Sequence, residues 1–287
     1  MNKYDVIVIG GGHAGCEAAT SSARVGAKTL LITGSIKTIG AMSCNPAMGG
    51  IGKGHLIREI DALDGIMSKI SDFSGIQFRV LNKRKGPAVQ GPRAQIDRDL
   101  YLIHMQSEIL NHKNLTVMEA FVEDLLFKKD RVEGVKCKGG QTINAKSIVL
   151  TTGTFLNGVI FCGKNTTPGG RVGEPPVTGI SKKLRSLNLS LARLKTGTPA
   201  RLIKSSINFD NLIVQRGDKN PELFSYMNSR VFNKQLNCYI TRTTEETHKI
   251  IKRNLKSSAM FSGLSELPYP RISGTITLYP SLEKKFI

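Results

Sequence analysis

Acidic residues are scarce in this chain, and cysteines form no framework. Only 22 Asp and Glu stand against 41 Lys and Arg over 287 residues, a formal net charge of +19. An excess of this size favours a polyanionic partner, most simply nucleic acid, although lysine-rich composition also arises without such a function. The five cysteines, Cys16, Cys44, Cys137, Cys162 and Cys238, are odd in number and lack C-x-x-C spacing. Neither a disulfide framework nor a zinc site is indicated, and a reducing cytoplasm fits best. The five histidines show no metal-ligand spacing. No apolar stretch approaches the roughly 20 residues of a membrane span. A strand beginning at residue 4 leaves no room for a cleavable signal peptide.

What is present begins at once. Tyr4-Asp5-Val6-Ile7-Val8-Ile9 is a run suited to a strand buried on both faces, and Gly10-Gly11-Gly12-His13-Ala14-Gly15 follows it. This G-x-G-x-x-G has the right flanks for a dinucleotide turn. Gly10 permits the tight turn, Gly12 lets the backbone approach a pyrophosphate, and Gly15 allows close packing of a helix running to about Val25. The helix N-terminus offers N–H groups to the phosphates, and His13 is expected to position backbone there rather than act as acid or base. One partner is missing. The next strand, Thr29 to Ile32, ends in Thr33-Gly34-Ser35, where an Asp or Glu would normally hold the ribose about 20 residues into the motif. That absence counts against an ordinary nicotinamide dehydrogenase.

Cys44 is the most informative residue of the chain. It sits in Gly40-Ala41-Met42-Ser43-Cys44-Asn45-Pro46, just before the glycine-rich stretch Gly49 to Gly54. Nearby N–H groups and Lys53 would raise its thiolate fraction. A small buried apolar thiol is the bland alternative, and the residues by themselves leave the two equally open.

Further along, His55 to Met67 reads as one helix with Leu56, Ile60 and Leu63 on a side, and Gln77 to Leu81 as a short strand. Gln95 to Asn111 reads as a helix with Ile96, Leu100, Ile103 and Leu110 recurring near helical spacing. Val122 to Phe127, Val132 to Cys137 and Gln141 to Asn144 read as a meander interrupting a doubly wound sheet, to which Ser147 to Thr151 returns. The end of that strand, Thr152-Gly153-Thr154, allows close backbone approach to a cofactor. Basic residues gather at Lys182, Lys183, Arg185, Arg193, Lys195, Arg201 and Lys204, and again at Lys249, Lys252, Arg253 and Lys256. A nucleic-acid surface is the favoured reading.

These motifs together carry a family resemblance. Gly10 to Gly15, Met42 to Pro46, Gly49 to Gly54, Glu59 to Leu63, Gly86 to Val89, Pro92 to Gln95, Thr151 to Leu156, Gly169 to Arg171 and Arg193 to Pro199 resemble the GidA/MnmG family from the start of the chain to about Gly263. Members are FAD-dependent enzymes that, with the GTPase MnmE, install a carboxymethylaminomethyl or aminomethyl group on the wobble uridine of certain tRNAs. The family characteristically lacks the acid after the second strand. The resemblance implies FAD with its pyrophosphate at Gly10 to Gly15 and its adenosine near Val122, NADH as reductant, methylenetetrahydrofolate as one-carbon donor, and a homodimer. It also implies two required cysteines, of which Cys44 matches the first.

Departures from the family pattern are specific. Its second cysteine lies in Gly-Pro-Arg-Tyr-Cys-Pro-Ser-Ile-Glu-Asp, where Pro270 and Arg271 keep register here but Ile272 and Ser273 replace Tyr-Cys. Full members continue for several hundred residues more. Val177 stands where Ser is usual and Ala200 where a second Pro is usual. The expected architecture is therefore an α/β, doubly wound FAD-binding domain of Rossmann type over 1–200, followed over 201–287 by the start of an inserted, truncated nicotinamide-binding domain. Three functions stay open: a tRNA wobble-uridine modification enzyme, the related folate- and FAD-dependent tRNA uridine methyltransferase, and a non-catalytic remnant that binds nucleotide or RNA. Since serine is a poor nucleophile without a dedicated base, the isolated chain is expected to bind tRNA and FAD, the latter weakly, without modifying the tRNA.

Overall fold

A computed structural model describes residues 3–43, 45–192, 197, 200–258 and 275–278. Its centre is a six-stranded sheet built from β1 (Lys3–Ile9), β2 (Thr29–Thr33), β6 (Leu115–Glu119), β7 (Val122–Lys128), β8 (Arg131–Cys137) and β9 (Thr142–Leu150). The order is β6-β2-β1-β9-β8-β7. The first four in that order are parallel, with Val8 opposite both Leu31 and Val149. The doubly wound α/β class expected from the opening is what forms.

The parallel strands are apolar without alternation because both faces are covered. On β1 and β2, Val8 and Leu31 face a core shared with α1 (His13–Arg24), α3 (Ile66–Ser74) and α4 (Arg98–Asn111). Ile7, Ile9, Leu30 and Ile32 face the opposite core, with Leu125, Val135 and Ile180 of α5 (Gly179–Ser186). Each large side chain taken fully out of water here contributes about 1.5–3 kcal/mol.

Beside this sheet lies an antiparallel one, β3 (Ala47–Gly49), β5 (Gly91–Ile96) and β4 (Gly75–Leu81), in that order. Met48, Phe78 and Ala94 turn one of its faces into the first core. A hairpin pairs β10 (Val159–Cys162) with β11 (Asn165–Pro168), and β12 (Ile213–Gln215), β13 (Cys238–Arg242) and β14 (Thr275–Leu278) form a further sheet.

Three local expectations are corrected. The single helix over 55–67 is two, α2 (Lys53–Ala62) and α3, parted at Asp64, which adopts a left-handed φ of 63°, and at Gly65, whose N–H returns to Ile60 O. Glu17 Oε1 and Oε2 then accept from Met67 N and Ile66 N at 2.6 and 3.2 Å, starting α3 with a carboxylate at its positive end. Leu56 and Leu63 are exposed, and Ile57 carries the packing. The helix expected from Gln95 begins only at Arg98, because Asp97 caps it by accepting from Asp99 N and Leu100 N, and the preceding residues pair as β5. Its buried face is Tyr101, Met105 and Ile109, while Ile103 and Leu110 are exposed. The strands expected at 141–144 and 147–151 are one continuous β9, antiparallel to β8 at its start and parallel to β1 along its length.

Residues 218–238 are held to α2, α3 and β4 by contacts distant in sequence. Buried Asp72 accepts from Phe224 N, Ser225 N and Asn228 Nδ2 at 2.8, 2.9 and 2.9 Å. Asp61 accepts from Tyr226 N at 3.0 Å and Ser68 Oγ at 2.5 Å. Leu236 N and Asp218 N donate to Ile76 O and Phe78 O, continuing the ladder along the free edge of β4.

Candidate dinucleotide site

The chain leaves β1, winds outward through β2 and β6, and then returns on the other side of β1 as β9. The crevice at the carboxyl ends of β1 and β9 is therefore the point where the strand order reverses, the usual place for a ligand in such a sheet. The Gly10 to Gly15 turn after β1 and the Thr152-Gly153-Thr154 turn after β9 open there. Thr151, just past β9, closes the gap between them: its N–H donates to Ile9 O at 2.9 Å, and its hydroxyl lies 2.8 Å from Ile9 O and 3.0 Å from Gly10 O.

Two glycines of the turn are sterically obligatory. Gly10 has a φ of 110°, and a Cβ there would stand 2.4 Å from Thr151 O. At Gly15 the added carbon would lie 1.7 Å from Gly10 O, so α1 packs onto the turn at backbone contact. Gly11 is buried, and its carbonyl accepts from Gly40 N at 2.8 Å. Gly12 and Ala14 are exposed, and nothing lies within 4 Å of a Cβ built on Gly12. No side chain caps α1. First-turn amides of a helix have no intrahelical acceptor, so these are left to an external one, and a pyrophosphate fits the open side of Gly12.

His13 is held by Tyr101. Its Nδ1 lies 3.3 Å from the Tyr101 hydroxyl, and the rings meet edge to face at 81°. Burial, reinforced by the Lys53 charge, pulls the His13 pKa down to about 4, so the imidazole is neutral near pH 7. Burial also keeps the Tyr101 phenol protonated, so an uncharged hydroxyl faces the uncharged imidazole at Nδ1. Lys53, at the start of α2, is itself pulled below the usual lysine range by desolvation and by Arg93.

The remaining expected residues are placed unevenly. Gly153 is exposed beside the turn, with a φ of 54° and open space around it. Val122 begins β7 with its side chain in the second core, so only its backbone is available to a ligand. The preceding Phe121 packs on Gly34, and Ala120 N donates to Thr33 O at 2.8 Å, which sets this corner at the end of β2. Cys44 lies outside the described residues, as do Arg193, Lys195, Ile272 and Ser273. Its neighbour Ser43 accepts from Arg171 Nη1 at 3.3 Å, and Arg171 is fixed in turn by Glu174 and by the Phe155 ring.

The contacts of Tyr101 with His13 and of Arg171 with Ser43 were not legible in the sequence. Tyr101, Met105 and Ile109 do recur every four residues, a signal present in the sequence but masked by the more hydrophobic Leu100, Ile103 and Leu110. Among the other cysteines, Cys16 and Cys238 are buried, with thiols pushed up to about 12 and about 11 by desolvation, as packing residues should be. Cys137 is buried as well, whereas Cys162 is exposed on the hairpin rather than packed. No group of His, Cys, Asp and Glu among the described residues is arranged to hold a metal.

Comparison with known proteins agrees with this architecture. The model of the family glucose inhibited division protein A, GidA, matches residues 5–286. The form I crystal structure of Aquifex aeolicus GidA superposes with a TM-score of 0.92 at 45% identity, over 99% of this chain and 51% of that one. The form II crystal structure gives 0.89 at 44%, over 99% and 49%. The present chain thus spans about half the length of the Aquifex aeolicus GidA chains it matches. With the sequence match running through both the glycine turn and the antiparallel sheet, this chain belongs to the GidA family.

Proposed function

We propose that this chain supplies the flavin- and tRNA-binding part of an FAD-dependent tRNA modification, the addition of a carboxymethylaminomethyl or aminomethyl group to C5 of a wobble uridine. The observation that carries the reading is the backbone cradle at Gly10 to Gly15, open at Gly12 and uncapped at α1, in a chain of the GidA family. Gly10, Gly11, Gly12, His13, Ala14 and Gly15 would hold the pyrophosphate, with the Val122 backbone and Gly153 on either side of it. When bound, FAD would relay electrons from NADH to a one-carbon unit supplied by methylenetetrahydrofolate.

In this reading the protein's own chemistry falls to Cys44. Its thiolate would form a bond to C6 of the uracil, shifting the C5–C6 electron pair onto the O4 carbonyl as an enolate. C5 then becomes the nucleophile, and the thiolate leaves when the C5 proton is lost. Lys53, at the end of the loop that carries Cys44, favours the thiolate. His13, neutral and held by Tyr101, orients the turn and takes no part in proton transfer.

We further propose MnmE as the partner GTPase, a homodimer, and a cytoplasmic location. No helix among the described residues is long and apolar enough to cross a membrane. Basic α5, with Lys182 and Arg185 exposed, is the surface offered to tRNA. α6 (Glu245–Asn254) is a weaker candidate, because Glu246 pairs with both Lys249 and Arg253. We also propose a domain boundary near residue 200; the β12–β13–β14 sheet is made wholly of later residues, while residues 218–238 pack back onto α2, α3 and β4.

The test is to purify the chain, quantify retained flavin by absorbance, measure tRNA binding against salt, and analyse the wobble uridine by mass after incubation with MnmE, folate donor, FAD and NADH. The expected result is partial flavin retention and salt-sensitive tRNA binding. Because Ser273 stands in the register of the family's second cysteine, no modified base is expected from this chain alone. A modified base that disappears in Cys44→Ser would instead make it a complete catalyst. A tightly bound nicotinamide with no flavin would overturn the cofactor assignment.

A further inference from the structure

The residues just past β9 build a platform beside the dinucleotide turn. The Thr151 hydroxyl contacts Gly10 O, and the chain then turns so that Phe155 N donates to Thr152 O at 3.1 Å. Residues 169–177 are laid onto this platform. Gly169 N donates to Gly158 O at 3.0 Å, the Thr154 hydroxyl to Gly170 O at 2.8 Å, and Val177 N to Phe155 O at 2.8 Å. A Cβ on Gly170 would stand 2.4 Å from Phe155 Cγ, so the two segments meet at backbone distance. Glu174 N then returns to Arg171 O at 3.0 Å, closing a four-residue turn with Gly173 third at a φ of 82°.

That turn fixes the Arg171 side chain. Its Nε donates to Glu174 Oε1 at 2.6 Å, Nη2 pairs with the same oxygen, and the guanidinium carbon lies 5.8 Å from the centre of the Phe155 ring. The third nitrogen, Nη1, donates to Ser43 Oγ at 3.3 Å, across 128 positions of sequence. The loop that receives it is anchored at both ends, by Gly40 N on Gly11 O at 2.8 Å and buried Met42 on one side, and by Ile96 N on Pro46 O at 2.8 Å on the other. Ser43 itself is exposed, so water would satisfy its hydroxyl and folding does not require this bond. What the bond does is tie the middle of the loop to a guanidinium that is already held.

We propose that Arg171 is a positioning residue for Cys44: through Ser43 it holds the 40–47 loop so that the adjacent thiol keeps the surroundings that favour its thiolate. The proposal rests on the reading of Cys44 as the nucleophile and names what holds it. Arg171 acts through Ser43 and takes no part in bond making.

Alkylation of the purified chain with iodoacetamide, followed cysteine by cysteine by peptide mass spectrometry, tests this without relying on turnover. Exposed Cys162 is the internal standard. Dividing the Cys44 to Cys162 rate ratio at pH 7 by the ratio at about pH 9.5, where thiols are mostly ionised, removes differences in access. In the wild type this quotient should exceed one. Ser43→Ala and Arg171→Gln should each lower it by about threefold or more, the scale of one hydrogen bond, and the double variant should lower it no further. Ser43→Thr keeps the hydroxyl and should keep the wild-type value. The melting temperature of Ser43→Ala should stay within about 2 °C of the wild type, which separates positioning from unfolding. A wild-type quotient of one or less overturns the Cys44 reading and this proposal together. A quotient above one that either single variant leaves unchanged, or a double variant in which the two losses multiply, overturns the role of Arg171 alone and leaves Cys44 as the nucleophile.

Discussion

The two sheets of this protein solve the problem of fixing a turn in opposite ways. At the parallel sheet, the Gly10–Gly15 turn is held mostly through its carbonyls, by Gly40 N on Gly11 O and the Thr151 hydroxyl on Gly10 O, with the Tyr101 hydroxyl on His13. At the antiparallel sheet, the segment 222–228 is held by buried carboxylates, Asp61 and Asp72, reaching backbone N–H groups more than 150 positions away. A backbone cradle keeps its amides for a ligand, whereas a carboxylate clasp consumes them. The first arrangement therefore suits a site and the second suits a joint.

The sharpest way to break the comparison is Gly15→Ala. A methyl group 1.7 Å from Gly10 O cannot be accommodated without moving α1 from β1. A loss of at least about 4 kcal/mol in chemical denaturation is expected, together with loss of flavin binding. A variant as stable as the parent would show that the turn is not held as described.

Acid should come next. The pKa of His13 is about 4 in the folded protein against 6.5 for the free side chain, so the unfolded chain takes up that proton first. Its stabilising contribution is present above pH 6.5 and is lost as pH falls through 4, about 3 kcal/mol in all. Denaturation curves of the parent and of His13→Asn across this window should diverge in slope, the parent falling more steeply. Parallel curves would mean that His13 titrates normally.

At the other sheet, Asp72→Asn replaces one acceptor oxygen of the clasp with a donor facing N–H groups. A cost of about 2–3 kcal/mol is expected, with faster hydrogen exchange at Phe224 and Ser225 and little change at the glycine turn. Equal acceleration at both places would merge the two regions into one unit.

The smallest effect on stability should be that of Gly12→Ala. Its Cβ meets nothing within 4 Å, so stability should change by less than about 1 kcal/mol, the usual range for this exchange at a helix start. Flavin affinity should nevertheless drop, because the methyl group occupies the approach to the α1 amides. Unchanged affinity would remove Gly12 from the cradle.

Much of the first region was legible because its physics is local. A β-branched run followed by glycines at fixed spacing and an alanine-rich stretch states strand, turn and helix in consecutive residues. The periodicity of α4 misled because Leu100, Ile103 and Leu110 are more hydrophobic than the residues that pack, and the Asp97 cap with strand pairing of residues 91–96 moved the helix start. The division between α2 and α3 was marked in the sequence by the turn dipeptide Asp64-Gly65, which the apolar pattern across it outweighed, whereas Glu17, the residue that starts α3, is some 50 positions away.

The sequence by itself determined the parallel sheet, the dinucleotide turn and the family, since each is written in short-range pattern. Only the tertiary structure decided that Tyr101 holds His13, that Arg171 reaches Ser43, and that Asp61 and Asp72 hold residues 222–228. The reason lies in the interactions: a carboxylate, a guanidinium or an amide carries no periodicity, and its partner is chosen by packing of elements far apart in the chain.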